Sequence, residues 1–429
     1  MTIDILCKVV DNYGDAGVVL RLARALSELP DPPRLRVVTD GPEAFRALGL
    51  TVDAALPVQP FGTLPEARLY AWGGAAPESA TTASAAPASA PSGSAPPHPD
   101  FVRERPRIVL ECFACGRPPW LDGLLFDATD QDPRLVVNLE HLSAEPWTVE
   151  LHRMLSATRS GLVRKRIFMP GFADGTGGLV IDRSFREALG KWRPLRDAAA
   201  LGTPGAREAL AAARADLARR AGIALPPGTE TALWVPLFSY EHDYRDMAAD
   251  FSAFARENGR DVCVLAAPGR STGSVRRAFA GCPEGVRFVP LPFLPQETWD
   301  ELVLAGDFPI VRGEDSWARA ALGGAPFLWH AYLQDGAHQQ VKVRAFLDTL
   351  EPFALATPGG KAFFPALATL YLAFNERFAD SPEAGGAEGL LPVLRSLDAL
   401  RPAFRALADS LSARGDLAAH LMTFLGEIV

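Results

Sequence analysis

Cysteine is scarce in this chain, which has five among its 429 residues, an odd and scattered set. Small secreted proteins that depend on disulfides have a denser, paired set, so a disulfide framework is excluded. Cys112 and Cys115 form one Cys-x-x-Cys, but no second pair of ligands stands at the spacing that a zinc site needs. We interpret the cysteines as packed thiols in a reducing cytoplasm. A redox role for Cys112 and Cys115 is the alternative.

The chain also lacks the features that mark membrane, nucleic-acid and metal binding. No apolar run reaches the roughly 18 to 20 residues that span a bilayer, and the N-terminus has no signal-peptide pattern. The formal net charge of −8 argues against a broad nucleic-acid surface, which needs a basic face. The seven histidines are scattered without ligand spacing. We therefore expect a cytoplasmic protein with no membrane or nucleic-acid partner, no metal and no cofactor.

The pattern that is present predicts an α/β fold. Residues 3–10 are a buried strand, a glycine-containing turn follows, a helix ends at Pro30, and residues 35–38 form a second strand. This order opens a parallel sheet. Further apolar runs alternate with helices along the chain, at residues 107–111, 135–139, 232–238, 262–266, 286–291, 308–311 and 327–329.

The length is too great for one ordinary core, so we predict two domains. The first is a Rossmann-like domain of residues 1–180, completed by a C-terminal helix at 410–429, and the second is a Rossmann-like domain of residues 181–409. Such folds bind ligands at the C-terminal edges of their sheets, and we expect a cleft there. Residues 75–99 are almost entirely Ala, Pro, Ser, Thr and Gly, which predicts a flexible surface insertion.

The first candidate site is the turn from Asp11 to Gly17, at the end of the first strand. Asp11 and Asp15 stand four residues apart, beside glycines that let a ligand approach the backbone. A base that deprotonates an incoming nucleophile fits there. The alternative is structural, with Asp11 capping a turn and Asp15 capping the next helix.

The second candidate site is the segment 311–316, between a strand and a helix predicted to start near Asp315. Backbone N–H groups at a helix start and the guanidinium of Arg312 suit a pyrophosphate. Such donors stabilise the charge of a departing nucleotide diphosphate. The alternative is a helix cap of Asp315 and Ser316, with Arg312 and Glu314 paired at the surface.

A third set consists of Phe238, Tyr240, Gln296 and Trp299, at strand ends or early in helices of the second domain. Aromatic faces stack on nucleobases, and an amide can bind the edge of a base. Packing in an aromatic core is the alternative for this set.

Several segments together resemble one family, the inverting protein-arginine rhamnosyltransferases that modify bacterial translation elongation factor P. The matching segments are ILCKVVDNYGDAGV at 5–18, CGRPPW at 115–120, NLEHLSAE at 138–145, PGF at 170–172, TGGL at 176–179, FSYE at 238–241, RGEDS at 312–316 and AH at 337–338. The turn at 11–17 and RGEDS are specific to the family in this order and at this distance. Trp299 stands where many members have Phe, and the insertion at 75–99 exceeds the family's usual length.

The resemblance implies a GT-B glycosyltransferase with two Rossmann-like domains facing each other across a cleft. It implies dTDP-β-L-rhamnose as donor, an arginine of elongation factor P as acceptor, inversion and no metal. It also implies that the turn supplies the catalytic Asp11 and Asp15 and four substrate-binding residues, Asn12, Tyr13, Gly14 and Gly17. In the second domain the resemblance implies that Phe238 and Trp299 flank the thymine and Gln296 holds the nucleoside. Tyr240, Asp315 and Ser316 then surround the diphosphate, with Arg312 and Glu314 supporting the loop.

Two carboxylates suit an arginine acceptor. The guanidinium is charged and its nitrogens are poor nucleophiles, because their lone pairs are delocalised. We assign Asp15 as the base and Asp11 as the group that orients the guanidinium. The competing hypotheses are a GT-B enzyme with another donor or acceptor, and a non-catalytic protein that binds a nucleotide sugar.

Overall fold

The chain divides into two compact units in this computed structural model, which describes residues 1–10, 13–53, 56–74, 96–281, 283–376 and 387–428. The N-terminal unit comprises residues 1–143, 147–182 and 416–429, and the C-terminal unit comprises residues 144–146 and 183–415. The boundaries between the two units therefore follow residues 182 and 415, whereas the domain boundaries predicted from the sequence follow residues 180 and 409.

The N-terminal unit contains an eight-stranded sheet in the order β3-β4-β2-β1-β5-β6-β8-β7. Its strands are β1 (Thr2–Cys7), β2 (Arg34–Thr39), β3 (Val58–Pro60), β4 (Ala67–Ala71), β5 (Ile108–Cys112), β6 (Arg134–Leu139), β7 (Leu155–Ser156) and β8 (Val163–Phe168). The six inner strands are parallel, and the short edge strands β3 and β7 are antiparallel to their neighbours. The helices are α1 (Gly14–Ser27), α2 (Pro42–Ala47), α3 (Pro99–Arg103), α4 (Pro119–Leu125) and α5 (Trp147–Leu151).

Strand β1 explains how this unit is built from two cores. Ile3 and Ile5 point into a core shared with α1, whereas Leu6 packs into a second core on the opposite face of the sheet. A strand covered on both faces needs an unbroken apolar sequence, and residues 3–7 supply one except for the ion-paired Asp4. A C-terminal helix packs on the α1 side through Leu421 and Phe424.

The C-terminal unit contains a five-stranded sheet that is parallel throughout, in the order β11-β10-β9-β12-β13. Its strands are β9 (Leu233–Leu237), β10 (Val262–Ala266), β11 (Val286–Pro290), β12 (Ile310–Arg312) and β13 (Leu328–His330). The remaining helices are α6 (Arg183–Ala200), α7 (Ala206–Arg220), α8 (Arg245–Asn258), α9 (Thr272–Ala278), α10 (Gln296–Ala305), α11 (Gly313–Gly323), α12 (His338–Leu355), α13 (Pro358–Phe374), α14 (Leu390–Arg395), α15 (Leu397–Ala413) and, in the N-terminal unit, α16 (Leu417–Ile428).

Every strand predicted from an apolar run is present, within about three residues at each end. The prediction missed β3, β4, β7 and β8. The sequence of β8 places Arg164, Lys165 and Arg166 in a row. The structure resolves this conflict between charge and sheet position, because Lys165 Nζ lies 2.7 Å from the buried carboxylate of Glu111 on β5. A strand with several charged side chains can belong to a sheet when opposite charges on other strands pair with them. The sequence of the strand alone does not show those partners.

The predicted flexible insertion is too long at its C-terminal end. Residues 75–95 lie outside the described residues, but 96–99 are part of the described chain and lead directly into α3. His98 Nδ1 accepts a hydrogen bond from the Asp100 N–H at 3.2 Å, and its ring packs edge-on against Tyr70. His98 therefore caps a helix, contrary to the expectation that it lies in a flexible segment.

None of the helices in the described part of the chain combines the length and the apolar character needed to cross a bilayer.

His152 makes the stability of the N-terminal unit depend on pH. Burial lowers the pKa of His152 to about 4, and its Nδ1 accepts a hydrogen bond from the Met169 N–H at 3.1 Å. In the unfolded chain His152 takes up a proton near pH 6.5, whereas in the folded chain it does so only near pH 4. The free energy of unfolding therefore decreases as pH falls from 6.5 towards 4. His152→Asn keeps an acceptor for the Met169 N–H but has no group that titrates in this range. We expect its free energy of unfolding to fall by about 1 to 2 kcal/mol less than that of the parent chain. Urea unfolding of both proteins at pH 7 and pH 4.5 tests this, and equal losses would contradict it.

Candidate active site

The first part of the candidate site lies at the carboxyl edge of the N-terminal sheet. In the sheet, β2 lies on one side of β1 and β5 lies on the other. The strand order therefore reverses between β1 and β5. Loops that leave two such strands diverge and open a crevice, which is where α/β sheets bind ligands. The turn predicted from the sequence follows β1 at this position.

Asp15 lies in the first turn of α1 and is 8% exposed. Its Oδ2 accepts a hydrogen bond from the Val10 N–H at 2.8 Å, which fixes the carboxylate against the end of the loop. The helix begins at Gly14 with Tyr13 as its N-cap residue, so Asp15 is not the helix cap that the structural alternative requires. Asp11, the proposed orienting carboxylate, and Asn12 lie outside the described residues.

The other predicted residues of this turn surround Asp15 on the helix. Tyr13 is 44% exposed, and its carbonyl accepts the Gly17 N–H at 2.9 Å, which closes the first helical turn. Gly14 is exposed and Gly17 is buried. Among the described residues of the turn, Tyr13 and Gly14 are exposed, Asp15 is largely buried and Gly17 packs inside.

The cysteines near this edge are packed thiols. Cys7 and Cys112 are buried at the ends of β1 and β5, and Cys115 Sγ lies 3.4 Å from the Leu6 carbonyl oxygen. Burial raises the pKa of Cys115 to about 11, and burial together with the nearby Asp15 raises that of Cys7 further. Protonated thiols are poor nucleophiles, so these cysteines lack the reactivity that a redox role needs. The four cysteines Cys7, Cys112, Cys115 and Cys263 are unpaired, and Cys282 lies outside the described residues.

A strained loop follows β5 at the same edge. Phe113 and Ala114 have φ angles of 60° and 51°, a left-handed conformation that is unfavourable for residues with a side chain. The Asn138 side-chain oxygen accepts the Ala114 N–H at 3.1 Å, and the Phe113 ring stacks on His141 at 4.5 Å. Strain of this kind collects at functional sites, where the surroundings hold it in place. In the sequence this loop carries only the Cys112–Cys115 motif, which indicated no part in the predicted site.

The second part of the candidate site lies at the carboxyl edge of the C-terminal sheet. The strand order reverses here between β9 and β12. Phe238 and Tyr240 follow β9, Arg312 ends β12, and Gln296 and Trp299 lie in the first turn of α10. The structure therefore brings the two sets predicted from the sequence together at one switch point.

Arg312 is the centre of this group. Its guanidinium carbon lies 4.2 Å from the centroid of Phe238 and 4.6 Å from that of Tyr240. Its guanidinium thus lies over two rings, whereas the alternative considered from the sequence had it paired with Glu314 at the surface. The buried Nη1 has no hydrogen-bond partner among the described residues. A buried N–H that points at no acceptor suits an anionic ligand.

The helix behind Arg312 begins earlier than predicted. Helix α11 starts at Gly313 instead of near Asp315, with Arg312 as its N-cap residue in an extended conformation. Gly313 has a φ of 65°, which favours glycine, and its carbonyl accepts the Trp329 Nε1–H at 3.1 Å. Glu314, Asp315 and Ser316 therefore all occupy the first turn, where the helix dipole favours a negative ligand.

Side chains of α10 and α11 join in two pairs. Gln296 Nε2 donates to Asp315 Oδ2 at 3.1 Å, and Trp299 Nε1 donates to Ser316 Oγ at 3.1 Å. These bonds tie the residues predicted for the nucleoside to those predicted for the diphosphate. Deleting one member of a pair therefore disturbs both predicted contacts.

Phe238 and Trp299 contact each other edge to face, with centroids 5.6 Å apart and planes at 69°. A base held between two parallel rings needs a separation of roughly 7 Å, twice the normal contact distance. A thymine therefore stacks on one ring and meets the edge of the other, or one ring turns when the nucleotide binds.

Two further residues complete this edge and were not predicted as site residues. A side chain at Gly269, after β10, would begin 3.4 Å from the Phe238 ring, an ordinary contact distance, so Gly269 lines this edge beside Phe238. Ser239 Oγ lies 2.5 Å from Nδ1 of the buried His330 at the end of β13. The sequence contains both residues but gives no signal that separates them from ordinary turn and core residues.

The described residues contain no group of three or more His, Cys, Asp or Glu side chains that could hold a metal ion.

The sequence model of one family matches residues 3–87 and 93–426, and its description is EarP, elongation factor P (EF-P) rhamnosyltransferase. The chain belongs to the EarP family. A protein-arginine rhamnosyltransferase of Pseudomonas aeruginosa is 31% identical over 99% of this chain and 98% of its own length. The corresponding protein of Pseudomonas putida is 32% identical over 81% of this chain and 80% of its own length. The resemblance given by the sequence motifs is therefore confirmed.

A solved structure that is described as giving the structural basis for EarP-mediated arginine glycosylation of translation elongation factor EF-P matches the whole chain. The TM-score is 0.52 at 20% identity, with 100% of this chain and 99% of that chain covered. This likeness in fold, together with the mainly parallel sheets of the two α/β units, confirms the predicted GT-B class. The family match is interrupted only at 88–92, within the predicted insertion.

Proposed function

We propose that this EarP chain transfers L-rhamnose from dTDP-β-L-rhamnose to an arginine side chain of EF-P. The transfer is a single displacement that inverts the anomeric carbon, with Asp15 as the base. Support comes from the family and from the similarity to protein-arginine rhamnosyltransferases over nearly the whole chain. The observation that carries the proposal is a buried carboxylate, fixed by one backbone N–H, at the switch point of the N-terminal sheet.

Asp15 acts on the acceptor in this proposal. The guanidinium attacks through a nitrogen whose lone pair is delocalised, and it must lose a proton as the C–N bond forms. The Val10 N–H holds the Asp15 carboxylate in place, so the carboxylate does not have to reorganise when it takes that proton. Asp11 holds and turns the guanidinium.

The C-terminal residues act on the donor. Phe238 or Trp299 stacks on the thymine, and Gln296 binds the nucleoside. Arg312, Tyr240 and the first turn of α11 bind the diphosphate, and Asp315 and Ser316 shape this turn through their bonds to α10. As the sugar departs, negative charge develops on the diphosphate, and Arg312 and the helix start stabilise it. No enzyme nucleophile is needed, because inversion follows from one in-line displacement.

We expect turnover to be independent of divalent metal. Arg312 and the helix start supply the positive charge that a metal ion would otherwise bring to the diphosphate. Initial rates with and without EDTA test this. A loss of activity that Mg²⁺ or Mn²⁺ restores would contradict it.

We expect Phe238→Ala and Trp299→Ala each to weaken dTDP binding by about 1 to 3 kcal/mol, the usual contribution of stacking on a base. Calorimetric titration with dTDP measures this, and Phe363→Ala, which removes a partly exposed ring on α13, is the control. Unchanged affinity in both site variants would assign the rings to core packing.

A donor screen separates the proposal from its two rivals. The proposed enzyme releases dTDP from dTDP-β-L-rhamnose only when EF-P is present. A GT-B enzyme with another specificity would turn over a different nucleotide sugar or acceptor. A non-catalytic binding protein would bind the nucleotide sugar and release no dTDP on addition of EF-P.

A further inference from the structure

The end of β13 carries a fully buried histidine, His330, that the reaction proposed above does not use. Its Nδ1 accepts a hydrogen bond from the Tyr240 N–H at 3.3 Å and lies 2.5 Å from Ser239 Oγ. A backbone N–H can only donate, so Nδ1 carries no proton and the Ser239 hydroxyl donates to it as well. One ring nitrogen thus holds two consecutive residues of the segment that follows β9.

The backbone of Tyr240 is held on its other side too. The Tyr244 hydroxyl donates to the Tyr240 carbonyl oxygen at 2.6 Å, and the Tyr240 ring packs edge-on against His330 at 5.4 Å. The Tyr240 hydroxyl lies 3.9 Å from where a side chain at Gly313 would begin. The backbone position of Tyr240 therefore decides where its hydroxyl stands relative to the start of α11.

His330 is itself fixed by the strand and by Asn375. It is the register partner of Arg312 in the pairing of β12 with β13. The buried Asn375 side chain accepts the Ala331 N–H at 2.8 Å and donates to the Trp329 carbonyl oxygen at 2.9 Å, so it clamps the peptide groups on both sides of His330. His330 cannot shift without breaking these bonds.

We propose that His330 is a positioning residue for the diphosphate of the donor. It connects the two elements that bind this group, the segment 238–240 and the end of β12, and sets the Tyr240 hydroxyl and the Arg312 guanidinium at a fixed separation. It does not touch the nucleotide. This inference rests on the donor site proposed above.

The alternative is that His330 only stabilises the core, and the affinities for dTDP and dTMP distinguish the two. The ratio of these affinities measures what the second phosphate contributes, whereas stacking of the base contributes to both. His330→Phe keeps a ring but leaves the Ser239 hydroxyl and the Tyr240 N–H without an acceptor. We expect the ratio to fall by about tenfold, because the Tyr240 hydroxyl then no longer stands at a fixed distance from the Arg312 guanidinium.

The conservative variant His330→Asn should restore most of the ratio, because its amide oxygen takes the place of Nδ1. His242→Phe is the matched control. His242 is equally buried, lies 5.5 Å from His330 and stacks on Phe374, but its Nδ1 faces the Asp243 carbonyl. This control should lower the melting temperature and leave the ratio unchanged.

Calorimetric titration of the parent chain and the three variants with dTDP and dTMP decides the matter. A parent chain that binds dTDP no more tightly than dTMP would overturn the donor site and this inference with it. A parent ratio that His330→Phe preserves, or that His242→Phe lowers equally, would overturn this inference alone. Should His330→Phe fail to fold, Ser239→Ala removes one donor to Nδ1 without changing the ring, and an unchanged ratio there would overturn it as well.

Discussion

Asp15→Asn is expected to lower kcat by roughly 10² to 10⁴-fold, the usual contribution of a general base. The amide oxygen of Asn can still accept the Val10 N–H, so the loop at the end of β1 keeps its shape while the base is lost. Affinity for dTDP should barely change, because the residues proposed to bind it lie in the C-terminal unit. The melting temperature should stay within a few degrees.

Asp40→Asn is the matched control for this prediction. The Asp40 carboxylate accepts the N–H of Val9, next to the group that Asp15 binds, but no role in the reaction is proposed for it. This variant should keep most of its kcat. Rate, dTDP affinity and melting temperature have to be measured on the same preparations. An Asp15→Asn protein that is less stable but nearly as fast would show that the carboxylate is structural.

Arg312→Ala is expected to have the second largest effect, about a 10 to 100-fold loss of dTDP affinity and a further loss in kcat. The guanidinium is held over two rings, with a buried Nη1 that has no partner in the described chain, so it is organised for an anion before the donor binds. Charge on the leaving diphosphate grows during the reaction, so the rate should fall by more than the affinity.

Arg312→Lys keeps the charge but loses the planar contact with Phe238 and Tyr240, and it should recover only part of the affinity. Arg270→Ala is the control, since Arg270 is half exposed and pairs with Glu241 in a neighbouring loop. Calorimetry and initial rates measure both effects. A full recovery by lysine would reduce the role of Arg312 to its charge, and unchanged binding in Arg312→Ala would remove it from the donor site.

The elements that sequence alone could predict are those whose signal is local. Strands β9 and β10 are unbroken apolar runs and β1 is interrupted only by Asp4, and the turn after β1 and the segment 312–316 are recognisable motifs. The missed β8 depends on the ion pair of Lys165 with Glu111, which comes from a strand 54 residues away. The start of α11 was predicted too late because Asp315 and Ser316 resemble cap residues, whereas Gly313 has a positive φ and begins the helix.

The contacts inside the site were beyond sequence reasoning for a similar cause. Gln296 with Asp315 and Trp299 with Ser316 join helices that are separated by β12, and Arg312 rests on rings from a strand about 70 residues earlier. His330 was one of seven scattered histidines without ligand spacing, and its hydrogen bonds to the segment after β9 became visible only in three dimensions. Residue types mark the parts of a site, and the register between strands decides how they meet.

The most direct test of the central claim is the intact mass of EF-P after incubation with this chain and dTDP-β-L-rhamnose, followed by fragmentation to locate any gain. The proposal predicts that EF-P gains the mass of one deoxyhexose residue on a single arginine, that dTDP is released in equal amount, and that Asp15→Asn abolishes both. An unchanged EF-P mass under conditions where dTDP binding is demonstrated, or a gain on a residue other than arginine, would contradict it.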